Sequence, residues 1–153
     1  MLHAYSNVLV ELKDWQQLLT AAEQLGTQYP ESKQVYLAAF RRGLAYQGLG
    51  LFDKAEGAFR ETIAQTDTIE AARAQFNIGA LYFAQDKFAD AAKNFLRVEM
   101  LYDYPELSPK ALYRAVQAFR RAGSDNRADI YLEKLRLEYK DSEWAEKADT
   151  LTN

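Results

Sequence analysis

Apolar residues recur along the chain at intervals of three, four and six residues, and one set of these intervals occurs twice without a gap. The first copy consists of Gly43, Tyr46, Phe52, Ala55 and Phe59. The second copy stands 36 residues later and consists of Gly79, Tyr82, Phe88, Ala91 and Phe95. A period of about 20 to 50 residues is typical of repeat architectures, in which each unit is one supersecondary element. The chain is therefore predicted to be built of repeats.

Two weaker copies flank these units at intervals of 37 residues, and they begin at Ser6 and Val116. Alanine, leucine, glutamate, glutamine, lysine and arginine fill most of the chain between the breaks, and these residues favour helices. We therefore predict an all-α chain of about four repeats, over residues 2–30, 31–67, 68–105 and 106–140, with a partial unit at 141–153. The predicted helix pairs are 2–12 with 15–28, 33–48 with 52–65, 69–85 with 88–103 and 109–122 with 126–139, followed by a short helix from about residue 142.

Glycine has two different places in this pattern. Gly50 and Gly123 fall in the turns within the hairpins, where a helix commonly ends on a residue in the left-handed conformation. Gly43 and Gly79 fall inside helices, where glycine costs about 1 kcal/mol relative to alanine. We expect a neighbouring helix to approach these two glycines closely, with the repeated alanine, Ala55 in the second repeat, on the other side of the contact.

Composition excludes several classes of protein. The 153 residues include no cysteine and one histidine, which excludes a disulfide framework, a thiolate zinc site and a cysteine nucleophile and leaves little room for a histidine base. There is no phosphate-binding glycine loop, and no apolar run approaches the roughly 20 residues of a membrane span. Carboxylate pairs such as Asp86 with Asp90 and Glu99 with Asp103 are typical of solvated helix faces. We therefore predict no catalytic residue, no metal site and no cofactor.

The order of small residue, tyrosine, alanine and aromatic residue resembles the tetratricopeptide repeat, over essentially the whole chain as one repeat domain, 1–153. The period of 36–37 residues and the breaks at Tyr29-Pro30 and Tyr104-Pro105 are similar to bacterial cell-envelope members of that family, of the Tol–Pal coordinator and outer-membrane assembly lipoprotein type. The resemblance implies a right-handed α-solenoid with a non-enzymatic role in protein–protein interaction. For the cell-envelope members it also implies a periplasmic or outer-membrane location.

In this family the first helix of each repeat lines the concave surface, so the resemblance implies which side chains a ligand would meet. The lining positions hold six basic residues and one acidic residue, although the net charge of the chain is −3. Guanidinium groups pair with carboxylates in a bidentate manner, so we predict that this groove binds an acidic, partly apolar peptide. The predicted binding residues are Phe40, Arg41, Arg73, Phe76, Asn77, Phe83, Lys110, Tyr113, Arg114, Gln117, Arg120 and Arg121.

Other roles stay open at this point. Asn77, Lys110 and Arg114 match part of the clamp with which chaperone-binding members of the family hold a C-terminal carboxylate, but Leu37 and Arg41 stand where its first lysine and asparagine belong. Nucleic acid would suit basic and aromatic residues, but a pI of about 5.3 opposes a polyanion. The remaining alternatives are a structural or oligomerisation module of a larger envelope assembly and a docking domain of an enzyme whose catalytic part lies elsewhere.

The ends of the chain fall inside predicted helices, so we expect a segment of a longer protein. The alternative is a complete chain with a short C-terminal capping helix. An incomplete fifth repeat would leave an apolar side uncovered and favour self-association, because the ends of a solenoid need a polar outer face. The residues expected on that side are Trp144, Ala145, Ala148 and Leu151.

Overall fold

Helices account for all the regular structure in the computed structural model, which describes residues 2–32 and 34–148. They are α1 (Leu2–Glu11), α2 (Trp15–Gln28), α3 (Val35–Gly48), α4 (Phe52–Gln65), α5 (Ile69–Ala84), α6 (Phe88–Leu101), α7 (Ser108–Arg121), α8 (Asp125–Glu138) and α9 (Glu143–Ala148). No strand occurs among these described residues. The predicted all-α chain is confirmed, and the predicted helix ends differ from the observed ones by at most two residues.

The chain divides into two compact units within α5, between Ala74 and Gln75. We call the part up to Ala74 the N-terminal unit and the part from Gln75 the C-terminal unit. The core of the N-terminal unit includes Leu18 and Phe59, and that of the C-terminal unit includes Phe95, all three with no exposed surface. The single repeat domain over residues 1–153 stays a prediction.

The glycines inside the helices lie against phenylalanine rings. A Cβ atom on Gly43 would stand 2.5 Å from Cε1 of Phe59, and one on Gly79 would stand 2.8 Å from Cδ1 of Phe95. The predicted close approach is therefore confirmed, but its other side is the aromatic ring at the last position of the repeat rather than the alanine. The ring is the larger group, so it reaches into the space that a missing side chain leaves.

The turn inside each hairpin contains one residue in the left-handed conformation. Gly50 and Gly123 have φ values of +73° and +67°, as predicted. Lys13 and Asp86 occupy the same place in the first and third repeats, with φ values of 56° and 58°. Each turn is closed by an amide that donates to a carbonyl oxygen five residues earlier, for example Leu51 to Tyr46 at 2.8 Å. The bond satisfies a carbonyl at the helix end, and the left-handed residue makes it possible.

The last helix, α9, packs against the preceding hairpin. Ala145 and Ala148 are buried, with exposed fractions of 7% and 0%, in the core that also contains Leu112 and Leu135. They are not on an uncovered side, contrary to the prediction, because this face of α9 continues the apolar core of the fourth repeat. Trp144 is half-buried, and Leu151 lies outside the described residues. Self-association through this end stays a prediction.

Gly43 lies against Phe59 whereas Gly57 does not lie against another side chain, so we expect opposite effects of the two glycine-to-alanine substitutions on the free energy of unfolding. Gly43→Ala should lower the free energy of unfolding by about 1–3 kcal/mol, because the fully buried Phe59 ring has no room to move away. Gly57→Ala in α4 should raise it by up to about 1 kcal/mol, because the new methyl group meets no atom within 4 Å beyond its chain neighbours and the backbone of its own helix, and alanine favours the helix. Urea denaturation followed by circular dichroism measures both values. Equal effects of the two substitutions would contradict the described packing.

Candidate functional site

Nine of the twelve predicted binding residues lie in the C-terminal unit, on α5 and α7. One side of α7 is buried in the core through Ala111, Leu112, Ala115 and Val116. The remaining side therefore carries the long polar and charged residues. Contacts between side chains of α5 and α7 bring most of the predicted residues of this unit together on one face.

Arg114 is the centre of this face. Its guanidinium carbon lies 4.5 Å from the centroid of the Phe83 ring and 5.5 Å from that of Phe95, both within the range of cation–π attraction. Nη1 of Arg114 donates a hydrogen bond of 3.0 Å to Oε1 of Gln117, whose Nε2 donates one of 3.2 Å to the hydroxyl of Tyr113. Burial lowers the pKa of Arg114 from its ordinary value. Arg114 forms no ion pair with a carboxylate among the described residues.

Lys110 extends the same face toward α9. Its ammonium lies 5.0 Å from the centroid of the Phe76 ring and 5.8 Å from that of Trp144. The Trp144 ring also contacts the Tyr113 ring, at 5.4 Å between centroids, and has the ammonium of Lys147 at 4.2 Å. Sequence reasoning placed Trp144 at an uncovered end of the chain and did not assign it to this face. The signal for it was available, because Lys147 stands 37 residues after Lys110, at the same position of the repeat.

The two arginines at the end of α7 have different surroundings. Arg120 pairs with two carboxylates of the N-terminal turns of α8, at 3.5 Å from Oδ1 of Asp125 and 2.8 Å from Oδ1 of Asp129. It joins α7 to α8 within the hairpin, and this partner set was not foreseen. Arg121 is exposed, and its guanidinium carbon lies 5.5 Å from the centroid of the Phe88 ring. Arg121 and Lys110, like Arg114, have no ion pair with a carboxylate in the part of the chain that the structure describes.

We call the combined surface the basic–aromatic face. Its members lie on the exposed side of α5, α7 or α9. They comprise cations of that side and residues that contact those cations or each other. They are Phe76, Phe83, Lys110, Tyr113, Arg114, Gln117, Arg121 and Trp144. Asn77 is half-buried on α5 and forms no hydrogen bond with the described residues.

The other three predicted residues lie in the N-terminal unit. Phe40, Arg41 and Arg73 line a cavity of about 430 Å³ together with residues of α1 and the start of α5. Glu70 lines the same cavity, and its carboxylate lies 3.7 Å from the guanidinium of Arg73. Burial lowers the pKa of Arg41, and the nearby charge of Glu70 partly opposes that shift. Sequence reasoning counted only the lining positions and so missed Glu70, which offsets the basic charge of this cavity.

The described residues contain no group of histidine, cysteine, aspartate or glutamate placed to hold a metal ion. Within the same residues, every helix is too short or too polar to cross a membrane. One carboxylate of each pair noted in the sequence forms an ion pair, since Asp90 lies 3.1 Å from Lys93 and the half-buried Glu99 lies 2.6 Å from Lys134.

Comparison with known proteins supports the repeat assignment. Residues 110–142 match the sequence profile of the tetratricopeptide repeat. The fold is similar to the crystal structure of a Podosopora anserina protein described as a kinesin light chain with nearly identical TPR-like repeats, with a TM-score of 0.75, 13% identity and coverage of 96% of this chain and 80% of that one. A single-substitution variant of that protein is similar as well, with a TM-score of 0.74, 12% identity and coverage of 96% and 79%.

No curated protein sequence matches this chain. At 13% identity the structural similarity establishes the fold alone, which is that of TPR-like repeat proteins. Together with the profile match, it confirms the predicted helical-repeat architecture. The resemblance to cell-envelope members gains no support from these comparisons, and an envelope location stays a prediction.

Arg120 has two carboxylate partners and Arg114 has none among the described residues, so we expect the two arginines to contribute differently to the free energy of unfolding. Arg114→Met should leave the free energy of unfolding unchanged or raise it, because a neutral side chain of similar length keeps the ring contacts and removes a half-buried charge that has no carboxylate partner. Arg120→Met should lower it by up to about 1 kcal/mol, because two exposed ion pairs are lost. Thermal and urea denaturation measure the two effects. A loss of more than about 2 kcal/mol for Arg114→Met would mean that Arg114 has a structural role.

Proposed function

We propose that this protein is a non-enzymatic interaction scaffold that binds an acidic, partly apolar segment of another protein on the basic–aromatic face. Tetratricopeptide repeats generally mediate interactions between proteins, and residues 110–142 match that repeat. The observation that supports the acidic ligand is the set of three cations, Lys110, Arg114 and Arg121, which contact aromatic rings and have no carboxylate partner among the described residues.

The arrangement of these cations favours anionic groups of a ligand. A partly buried cation without an anionic partner has lost solvation and gained little in return. A ligand carboxylate restores that loss and forms a charge-assisted hydrogen bond, which contributes roughly 1.5–3 kcal/mol. Two rings and the hydrogen bond to Gln117 restrain the Arg114 guanidinium, so this side chain has less freedom to lose on binding.

The rings also explain why the ligand should be partly apolar. Tyr113 and Trp144 are half-buried and lie beside Lys110 in one continuous set of contacts. A leucine or aromatic side chain of the ligand would cover the exposed parts of these rings while neighbouring acidic residues pair with the cations. Phe76 and Phe83 on α5 offer the same kind of support.

The spacing along α7 limits the register of the ligand. Four residues separate Lys110 from Arg114 and seven separate Arg114 from Arg121, which corresponds to about 6 Å and about 10 Å along a helix. In an extended peptide with a rise of about 3.3 Å per residue, acidic residues two and three positions apart would match these distances. Two or three such pairs, offset by the ordering of the peptide, suggest affinity near the micromolar level, about −8 kcal/mol.

The alternative roles require different behaviour. A structural module of a larger assembly, or a docking domain of an enzyme, would use surfaces without a preference for acidic peptides. The net charge of −3 also means that the attraction is local to this face, so binding should weaken as salt screens the exposed cations.

Selection from a displayed library of random peptides tests the proposal. We expect the selected peptides to combine aspartate or glutamate with leucine or aromatic residues. Their affinity, measured by isothermal titration, should fall at least ten-fold for the double variant Lys110→Gln/Arg121→Gln, because two cationic groups are lost from the face. The change should leave the circular dichroism spectrum intact, since Arg121 is exposed and Lys110 half-buried.

The matched control is Lys93→Gln/Arg97→Gln, which removes the same charge from two exposed positions of α6. It should change the affinity less than two-fold. Selection of neutral or basic peptides, or equal binding by both double variants, would contradict the proposal.

A further inference from the structure

A second cavity lies in the C-terminal unit at the connection between α6 and α7, and it shares no residue with the basic–aromatic face. Its volume is about 320 Å³, and residues 99–103, Ser108 and Tyr139 line it. Met100 and Leu101 in its lining are large apolar residues with exposed fractions of 72% and 67%. Two adjacent side chains of this kind at a cavity mark a surface that a partner can cover.

The lining of this cavity is acidic, since the described residues that form it include the carboxylates of Glu99 and Asp103 and no cationic side chain. Nζ of Lys134 lies 2.6 Å from Oε1 of Glu99 and 3.8 Å from Oε2 of Glu138. The hydrogen bond with Glu99 raises the pKa of Lys134, in keeping with surplus negative charge around it. Asp103 is exposed and has no ion pair within the described residues.

A hydroxyl in the lining can also contact a ligand. Ser108 is 4% exposed as a residue and lines the cavity, and its hydroxyl forms no hydrogen bond with any described residue. The hydroxyl oxygen keeps some accessible surface rather than being sealed in the core. It can therefore accept a hydrogen bond from a donor that enters the cavity.

We infer that this cavity receives a lysine or arginine side chain of a partner protein, and that an apolar residue next to it covers Met100 and Leu101. The aliphatic stem of such a side chain suits an apolar wall, and its cationic head suits Asp103 and the Ser108 hydroxyl. The side chains of Tyr102 and Tyr139 line the same space, and an aromatic ring attracts a cation that lies over its face. The ligand of this cavity is thus opposite in charge to that of the basic–aromatic face.

The probe for this inference is the capped tripeptide acetyl-Leu-Arg-Leu-amide, compared with the peptide in which citrulline replaces arginine. Citrulline has nearly the same shape without the charge. Titration followed by amide chemical shifts should give saturable changes at residues 99–103 and at Ser108 and Tyr139. The arginine peptide should bind at least five-fold more tightly than the citrulline peptide.

Two protein variants complete the experiment. Asp103→Asn should weaken binding of the arginine peptide at least three-fold, whereas Glu133→Gln, which removes one exposed charge of α8 outside the cavity, should change it less than two-fold. The inference is overturned by the absence of saturable binding, by equal affinity of the two peptides, or by equal effects of the two variants. Shifts at Met100 and Leu101 that depend on protein concentration without peptide would also overturn it, because they would assign this surface to a second copy of the chain.

Discussion

The packing of a phenylalanine ring against a bare helix backbone is the constraint on which the hairpins depend. Phe59 and Phe95 have no exposed surface, and the helices that face them carry hydrogen atoms where other residues carry a side chain. The fourth repeat also buries both positions, but with other residues. Val116 stands in place of the glycine and Leu132 in place of the phenylalanine, and both are buried. A larger residue on one helix thus goes with a smaller one on its partner. The close pairing leaves the opposite side of each first helix available for other contacts.

On α7, the side of the helix that faces away from this pairing carries cations with two kinds of partner. Arg120 has two carboxylate partners and connects α7 to α8. Arg114 and Lys110 instead lie over aromatic rings, which stabilise a cation by a modest amount and leave most of its hydrogen-bond donors available to a ligand. Neighbouring residues of one chemical type therefore serve two purposes, and the difference lies in whether a carboxylate is within reach.

The fold could be predicted from the sequence because its signals are local and periodic. The recurring glycine, alanine and phenylalanine define the hairpins, and Gly50 and Gly123 mark their turns. The left-handed conformation of Lys13 could not be read from residue type, because lysine adopts it only under the constraint of the surrounding turn, whereas aspartate, as at Asp86, adopts it more readily. The candidate site was predicted in part. The positions on α5 and α7 follow from the period together with the resemblance to the tetratricopeptide repeat, whereas the ion pairs of Arg120 depend on carboxylates of the next helix. Trp144 could have been assigned to the basic–aromatic face, because Lys147 on the same helix repeats the position of Lys110.

The placement of the two tryptophans has a practical consequence for spectroscopy. The chain contains only two, and one lies in each compact unit, Trp15 before the division in α5 and Trp144 after it. Trp15 lies against the backbone of Gly48, and Trp144 is surrounded by Tyr113 and two lysine ammonium groups. Because the surroundings of the two rings differ in charge, we expect the two tryptophans to emit at different wavelengths. Each half of the molecule therefore carries its own intrinsic fluorophore, and replacing either ring with phenylalanine isolates the signal of the other half.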